Sequence, residues 1–208
     1  MVVILIPAYK PDEGMLALLN ALIAQKRYAG IVVVDDGSGS DYRPIFEAAE
    51  QMEGVVVVRH AVNQGKGRAL KTGLNAALNI WPDLSGVVTA DADGQHTLRD
   101  ILRIIEAMRE HPNALVLGSR EFTGDVPFKS RWGNRITRFV YALASGVHVS
   151  DTQTGLRGLP ACAIPAMITI DGERYEYEMN VLLKLRDMKL GVVEVPIETI
   201  YIDDNSGS

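Results

Sequence analysis

The segment Ile31-Val-Val-Val-Asp-Asp-Gly-Ser38 indicates the fold class, because an unbroken β-branched run leads directly into two carboxylates and a turn. A short apolar run without alternation is typical of a strand buried on both faces, and such strands belong to parallel sheets. Similar runs occur at Val2–Ile6, Val55–Val58, Gly86–Ala90 and Ala114–Leu117. The first part of the chain therefore predicts a parallel sheet whose strands end in polar residues.

Segments with helical periodicity separate these runs. Apolar residues recur at steps of three and four from Met15 to Ile23 and from Leu98 to Met108. Thr97 and Asp100 have the spacing of an N-terminal capping pair for the second segment. Alternating strands and helices predict an α/β fold, with a mostly parallel central sheet flanked by helices. We expect a single domain over residues 1–208.

The pattern is less regular after residue 119. Glu121–Arg131 contains Gly124 and Pro127, lacks periodicity and is expected to form a loop. Gly133–Ser145 has helical periodicity, whereas Val149–Leu159 is polar and contains glycine. A helix from about Tyr177 to Met188 follows, and we expect two strands after it, at Val192–Val195 and Glu198–Ile202.

Composition narrows the class of protein. The 208 residues carry 21 Lys and Arg against 26 Asp and Glu, a net charge of −5, and 47% are hydrophobic. Enough apolar surface is available for a core, so intrinsic disorder is excluded, and the acidic balance argues against a nucleic-acid partner. Cys162 is the single cysteine, which excludes a disulfide scaffold and fits a reducing compartment such as the cytoplasm. No apolar run approaches the roughly 20 residues that span a bilayer, so we expect any membrane contact to be peripheral.

The chemistry should lie just after the strands, because ligands of open α/β sheets bind beyond the carboxyl ends of the strands. Polar or aromatic residues follow each of the first four runs. These segments are Pro7-Ala-Tyr9, Asp35-Asp-Gly-Ser38, Asn63-Gln-Gly-Lys-Gly67 and Asp91-Ala-Asp-Gly-Gln-His96. We expect them to meet at one edge of the sheet.

Asp91 and Asp93 are two residues apart, so in an extended segment both carboxylates point the same way and can meet one cation. Oxygen ligands suit Mg²⁺ or Mn²⁺, and Gln95 offers a further carbonyl oxygen. The alternative is structural: Asp93 caps the next helix or shapes a turn with Gly94.

The other strand ends are ambiguous by themselves. Asp35 and Asp36 can accept hydrogen bonds from a base or ribose, yet Asp-Gly-Ser is also an ordinary turn after a strand. Gly65-Lys-Gly67 suggests a tight phosphate-facing loop that opens a helix. It matches neither the P-loop nor the dinucleotide-binding pattern, because this sequence lacks the further residues that each pattern requires.

A basic stripe lies in the second half. Arg131, Arg135 and Arg138 follow steps of four and three, beside an apolar stripe that begins at Trp132. This pairing fits a helix at an anionic membrane surface. The alternative is a helix that packs its apolar side on the core and leaves its basic side in solvent.

Taken in order, six motifs resemble those of family 2 glycosyltransferases with the GT-A fold, which is Rossmann-like. The motifs are Pro7-Ala-Tyr9, Val34-Asp-Asp-Gly-Ser38, Asn63-Gln-Gly-Lys-Gly67, Asp91-Ala-Asp-Gly-Gln-His96, Gly118-Ser-Arg120 and Asp151-Thr-Gln-Thr-Gly-Leu-Arg157. The chain most resembles the dolichol-phosphate mannose synthase-like enzymes, which move a sugar from a nucleotide sugar to a polyprenyl phosphate. Lys10 departs from the pattern, because many members carry Asn or Asp there.

The resemblance implies roles for the matching residues, with residues 1–119 as the nucleotide-sugar-binding half and residues 120–208 as the acceptor half. The nucleotide sugar would contact Pro7, Ala8, Tyr9, Asp35, Asp36, Lys66, Asp91, Ala92, Asp93, Gln153 and Arg157. Mg²⁺ or Mn²⁺ would be held by Asp91, Asp93 and Gln95. The acceptor phosphate would contact Arg120, Arg131 and Arg135. The catalytic residues would be Asp93, Arg120, Arg131 and Asp151. Glu176 or Glu178 lies where the family has an acidic helix start, and neither receives a role.

The implied reaction is an inverting, metal-dependent transfer of a hexose from UDP-glucose or GDP-mannose to a polyprenyl phosphate. A phosphate acceptor is already nucleophilic and needs no strong base, whereas a sugar hydroxyl would need one, for which Asp151 is the candidate. Two alternatives stay open, a family 2 transferase acting on a saccharide hydroxyl and a non-catalytic nucleotide-sugar-binding module. We expect the protein in the cytoplasm at the inner face of the membrane, with a membrane part beyond residue 208 as another expectation.

Overall fold

The computed structural model describes residues 1–120 and 154–198. The strands in these ranges are β1 (Val2–Ala8), β2 (Gly30–Asp35), β3 (Val55–Arg59), β4 (Gly86–Thr89), β5 (Ala114–Arg120), β6 (Arg157–Pro160) and β7 (Gly191–Ile197). The helices are α1 (Glu13–Ile23), α2 (Arg43–Glu50), α3 (Lys66–Ile80), α4 (Leu98–Glu110), α5 (Ile164–Ile168) and α6 (Glu176–Leu183). None of these helices combines the length and the apolar composition that crossing a bilayer requires.

The strands form one sheet in the order β3-β2-β1-β4-β6-β5-β7. The pairs β3–β2, β2–β1, β1–β4 and β5–β7 are parallel, and β6 runs antiparallel to both of its neighbours. The prediction of a mostly parallel α/β sheet is therefore confirmed. The carboxyl ends of β1 and β2 share one edge, since Ala8 pairs with Asp35. Because β6 is antiparallel, its first residue, Arg157, pairs with Thr89 at that same edge.

Both faces of the sheet are covered, which explains the unbroken apolar runs. Along β1, Ile4 and Ile6 belong to one core, whereas Val3 and Leu5 belong to the other. The first core contains apolar side chains of α1, α2 and α4, and the second contains those of α3, α5 and α6. Alternate residues thus enter opposite cores, and both sets must be apolar.

The capping pair predicted for α4 is present. The Asp100 backbone N–H donates to Thr97 Oγ1 at 3.0 Å, and the Thr97 hydroxyl donates to Asp100 Oδ2 at 2.7 Å. This reciprocal pair satisfies one of the backbone donors that a helix start leaves open. It also fixes the point at which the chain leaves the strand end at residues 91–96 and enters α4.

The second half differs in part from what the sequence predicts. Arg157–Pro160 forms β6, a strand that was not predicted. The strand predicted at Val192–Val195 is present as Gly191–Ile197, and Glu198, the first residue of the second predicted strand, lies outside it. The helix expected over Tyr177–Met188 begins at Glu176 and ends at Leu183. The predicted loop Glu121–Arg131, the predicted helix Gly133–Ser145 and residues 199–202 lie outside the described residues.

Candidate functional site

A cleft of about 510 Å³ opens at the edge of the sheet where the parallel strands end. It is lined by Pro7, Ala8, Tyr9, Lys10, Pro11, Asp12, Asp36, Asn63, Gly65, Lys66, Ala69, Asp91, Ala92, Asp93, Arg174, Tyr175 and Glu178. Most of the nucleotide-sugar contacts expected from the sequence are among these residues. The structure thus brings together segments that are far apart in the chain, because their strands end at one edge.

Several residues expected in the site are not among those that line the cleft. Asp35 is buried, and its Oδ1 accepts the Ser38 backbone N–H at 2.9 Å, the contact of an ordinary turn. Gln95 and Arg120 are not among the residues that line the cleft. Arg157 is buried at the start of β6. The predicted residues Arg131, Arg135, Asp151 and Gln153 lie outside the described part of the chain.

Asp91 lies at the centre of an ion-pair network in the cleft wall. Its Oδ1 is 2.7 Å from Lys66 Nζ, and its Oδ2 is 3.2 Å from His96 Nε2. Lys66 Nζ also lies 3.2 Å from Glu178 Oε2. The other carboxylate oxygen of Glu178 is 3.8 Å from Arg157 Nε. The network therefore links the segment after β4 and the start of β6 to the first turns of α3 and α6.

The network shifts the pKa values of its members. Burial raises the pKa of Asp91, but the His96 hydrogen bond and the Lys66 charge outweigh it and hold that pKa well below its usual range. Burial lowers the pKa of Lys66, yet the charges of Asp91 and Glu178 raise it overall. Both side chains are therefore charged at neutral pH.

Asp93 has a different environment. Its Oδ1 accepts the Gln95 backbone N–H at 3.0 Å, and Gly94 between them has a φ of 75°, so the segment forms the turn that was the structural alternative. Burial and, to a smaller extent, the neighbouring Asp91 charge raise the pKa of Asp93. The turn and the cleft position coexist, because Asp93 also lines the cleft.

Asp36 is occupied by contacts inside the protein. Its Oδ1 accepts the Gln64 backbone N–H at 2.9 Å and lies 2.8 Å from His60 Nδ1. Its Oδ2 accepts the Gly65 backbone N–H at 2.8 Å. The carboxylate therefore anchors the loop that precedes α3 and positions Lys66.

The first turn of α3 contributes a second feature to the cleft. Gly65 is the N-cap, with a φ of 101° and no side-chain capping hydrogen bond, and Gly65, Lys66 and Ala69 all line the cleft. The amino end of a helix carries partial positive charge, and its backbone N–H groups bind anions. The cleft thus offers a lysine and a helix terminus beside the carboxylates of β4.

Glu178 is the residue that sequence reasoning left without a role. It reaches the cleft because α6 packs on the start of α3, where Gly67 faces Tyr177 and leaves no room for a Cβ. The acidic start of α6 was the only sequence signal for it. Asn63, Arg174 and Tyr175 also line the cleft and were not among the expected contacts.

The side chains that line the cleft can be compared with the ligands that a divalent cation prefers. The described residues include no group of three or more His, Cys, Asp and Glu side chains arranged to hold a metal ion. Mg²⁺, however, is commonly held by one or two carboxylates with substrate phosphates and waters completing its coordination. Asp91 and Asp93 both line the cleft, and a cationic ammonium already lies against Asp91. The residues present therefore fit a cation that binds together with a diphosphate.

Comparison with known proteins places these features in a family. Residues 3–170 match the model of the family described as Glycosyl transferase family 2. UDP-N-acetylglucosamine–dolichyl-phosphate N-acetylglucosaminyltransferase of Methanococcus voltae is 32% identical over 222 residues, which cover 98% of this chain and 87% of that protein. Undecaprenyl-phosphate mannosyltransferase of Micrococcus luteus is 26% identical over 204 residues, which cover 94% of this chain and 82% of that protein.

A solved structure supports the fold. Glucosyl-3-phosphoglycerate synthase from Mycobacterium tuberculosis, crystallised with Mn²⁺, UDP-glucose and phosphoglyceric acid, superposes with a TM-score of 0.72. The match covers 99% of this chain and 72% of that chain, at 17% sequence identity. The two proteins share the fold of the central sheet and its helices.

Proposed function

Because this chain belongs to glycosyl transferase family 2, we propose that its cleft takes a sugar from a nucleotide sugar and delivers it to a polyprenyl phosphate. The observation that carries the proposal is the cleft itself, which is lined by Asp91, Asp93 and the amino end of α3. A nucleoside diphosphate binds together with a metal ion. Carboxylates can hold the metal, and a helix amino terminus can bind the phosphates.

The nucleotide end of the cleft is formed by the segment after β1. Pro7, Ala8 and Tyr9 offer an apolar and aromatic wall for the base, and Tyr9 is 49% exposed, so its ring is accessible. Asp36 holds the Gly65 loop against this wall and supports the base region through that loop. Ala92, between Asp91 and Asp93 in the segment that follows β4, also lines the cleft and has a small side chain.

Asp91 and Asp93, with Gln95 behind them, would hold Mg²⁺ or Mn²⁺, a cation that stabilises the charge that develops on the leaving diphosphate. Lys66 and the amino end of α3 bind the same diphosphate from the other side. Arg157 keeps Glu178 in place beside Lys66, because its guanidinium donates to the Glu178 backbone carbonyl at 2.8 Å. These residues orient the donor so that the anomeric carbon faces the acceptor half of the domain.

The acceptor needs cations rather than a base. A phosphate monoester is largely dianionic at neutral pH, so its oxygen attacks the anomeric carbon directly and the configuration inverts. Arg120 ends β5 at this edge of the sheet and is one cation for the acceptor phosphate. We also assign Arg131 and Arg135 to the acceptor phosphate, and Asp151 and Gln153 to contacts with the sugar, from the sequence motifs alone.

The relatives support a lipid-phosphate acceptor and a UDP-linked donor. The Methanococcus voltae relative is named for UDP-N-acetylglucosamine and dolichyl phosphate, and the Micrococcus luteus relative for undecaprenyl phosphate. We therefore propose a UDP-sugar as the donor, with GDP-mannose as the alternative, and a polyprenyl phosphate as the acceptor. Such a lipid requires the protein to work at a membrane surface, on the side where nucleotide sugars are made.

A transfer assay with the full chain tests this proposal. Radiolabelled UDP-glucose, UDP-N-acetylglucosamine and GDP-mannose are each offered with Mn²⁺ and a short-chain polyprenyl phosphate, and the organic-extractable label is counted. We expect label transfer from a UDP-sugar, with inverted configuration at the anomeric carbon. Asp91→Ala and Asp93→Ala should each lower the rate by at least about 100-fold, while Asp187→Ala, which removes an exposed carboxylate outside the cleft, should not.

The alternatives give different results. Transfer to a free saccharide but not to the lipid phosphate would favour a hydroxyl acceptor and a base such as Asp151. Nucleotide binding without turnover on any acceptor would favour a non-catalytic module. A product with retained configuration would overturn direct displacement.

A further inference from the structure

The Lys66 ammonium lies on one carboxylate oxygen of Asp91 in the wall of the cleft. Its ammonium lies 2.7 Å from Asp91 Oδ1, and the other Asp91 oxygen is 3.2 Å from His96 Nε2. The Lys66 side chain is 21% exposed and that of Asp91 is 24% exposed, so the pair lies in the cleft wall and is reachable from solvent. A divalent cation that approaches the Lys66 side of Asp91 must therefore replace an ammonium.

Glu178 gives the Lys66 ammonium a second carboxylate partner. Glu178 Oε2 lies 3.2 Å from Lys66 Nζ, and Glu178 is itself held by Arg157 at 3.8 Å. The ammonium thus bridges two carboxylates on different elements. It can leave Asp91 without entering bulk solvent or giving up its last partner.

The formal charges argue that metal and diphosphate should enter together. Among these side chains, Lys66 and Arg157 balance Asp91 and Glu178, and Asp93 leaves one negative charge. A divalent cation alone would turn this surplus into a net positive charge close to the Lys66 ammonium. A nucleoside diphosphate offsets that charge and offers Lys66 a new anionic partner.

We propose that Lys66 is an internal counter-cation, which holds Asp91 while the donor is absent and yields it when a divalent cation arrives together with a nucleoside diphosphate. This inference rests on the proposed function, because it takes the cleft to be a metal and diphosphate site. It makes Lys66 a positioning residue that couples the two ligands, with Glu178 as the carboxylate that retains the ammonium during the exchange. Metal and nucleotide then bind with positive cooperativity, which is reciprocal by thermodynamic necessity.

The test is the affinity of the full chain for Mn²⁺, measured from the electron paramagnetic resonance signal of free Mn²⁺, first alone and then with UDP. In the parent chain we expect weak binding of Mn²⁺ alone and an increase of at least tenfold when UDP is present. Lys66→Met should strengthen the binding of Mn²⁺ alone by roughly tenfold, the change that about 1.4 kcal/mol of lost competition produces. The increase caused by UDP should shrink in the same variant.

Two control variants separate competition from a general change of charge. Lys10→Met removes the same charge from the same cleft, but the described residues show no ion pair between Lys10 and the Asp91 or Asp93 carboxylates. It should change the affinity for Mn²⁺ alone by less than about twofold. Lys66→Arg keeps the charge and should stay close to the parent chain. The thermal unfolding temperature of each variant confirms that it is folded.

The outcomes distinguish this inference from the proposed function. If Lys66→Met binds Mn²⁺ alone no better than the parent chain, while both bind Mn²⁺ with UDP, the counter-cation role is wrong and the donor site stands. If Lys10→Met strengthens the binding of Mn²⁺ as much as Lys66→Met does, the effect is one of general charge and the role is again wrong. If the folded parent chain binds neither UDP nor Mn²⁺ with UDP, the proposed function itself fails.

Discussion

Carboxylates at neighbouring strand ends serve different purposes in this protein. Both oxygens of Asp36 are bound to the loop before α3, whereas Asp91 presents its Lys66 contact to the cleft. The sequence predicted ligand contacts for both, because each follows a buried strand. A carboxylate after a strand can hold either a loop or a ligand, and only the position of Gln64 and Gly65 decides between these for Asp36.

Tyr177 is a core residue whose buried hydroxyl forms a hydrogen bond with the backbone. The ring is 3% exposed, its hydroxyl donates to the Met167 carbonyl at 3.0 Å, and Lys71 Nζ lies 5.2 Å from the ring centroid. Burial raises the pKa of this hydroxyl well above its ordinary value. Tyr28 shows the same shift, since burial raises its pKa to about 12.

Tyr177→Phe should reduce the free energy of unfolding by about 1 kcal/mol at pH 7, because the buried hydrogen bond is lost. A pKa that is higher in the folded state than in the unfolded state contributes stability below the unfolded value, near 10, and this contribution is lost as the pH rises. The advantage of the parent chain over the variant should therefore shrink between pH 9 and about pH 11. Urea unfolding at several pH values measures it, and a constant difference across that range would contradict the assignment.

At the scale of elements, the contact of α3 with α6 builds the cleft. Gly65 has a φ of 101° and faces the Glu173 carbonyl, so an added Cβ would lie 2.4 Å from that oxygen. The Arg68 backbone N–H donates to the same carbonyl at 2.9 Å. The segment before α6 is thus held against the first turn of α3, and Glu178 reaches Lys66 as a consequence.

Gly65→Ala should separate these two elements. The positive φ alone costs an L-residue roughly 1–2 kcal/mol, and the contact with the Glu173 carbonyl adds to this. Gly39→Ala is a matched control, because Gly39 has a φ of 92° and nothing within 4 Å of an added Cβ. We expect Gly65→Ala to lower the free energy of unfolding by at least about 1 kcal/mol more than the control does, as measured by urea unfolding. Equal losses would mean that the two elements do not depend on this contact.

The elements that the sequence predicted well are those with a local signal. Strands β1 to β5 have apolar runs, and α1 and α4 have helical periodicity, so their existence follows from burial. Strand β6 has neither, since Arg-Gly-Leu-Pro is four residues long and mixes charged and apolar side chains. It is a strand because it pairs with β4 and β5 at once, and Gly158 leaves room for Met108 of α4. Pairing between distant segments leaves no period in the sequence.

At the scale of the whole molecule, the residues that line the cleft lie along one edge of the sheet. The cleft draws on residues 7–12, 36, 63–69, 91–93 and 174–178, and the first four of these groups follow strands that the sequence predicted. The fifth reaches the cleft through packing of α6 on α3, which a strand-end rule does not describe. The rule therefore predicted four of the five groups that line the cleft, and it did not predict Glu178 or its contact with Lys66.

If this cleft binds a nucleoside diphosphate and a divalent cation as one unit, its affinity for UDP depends on the metal. Isothermal titration calorimetry of the full chain with UDP, in Mn²⁺ and again in excess EDTA, measures that dependence. We predict binding of UDP in Mn²⁺ and at least a tenfold loss of affinity in EDTA, about 1.4 kcal/mol or more. A cooperatively folded chain that binds neither UDP nor GDP with Mn²⁺, or that binds UDP equally well in EDTA, would contradict joint binding of the two ligands.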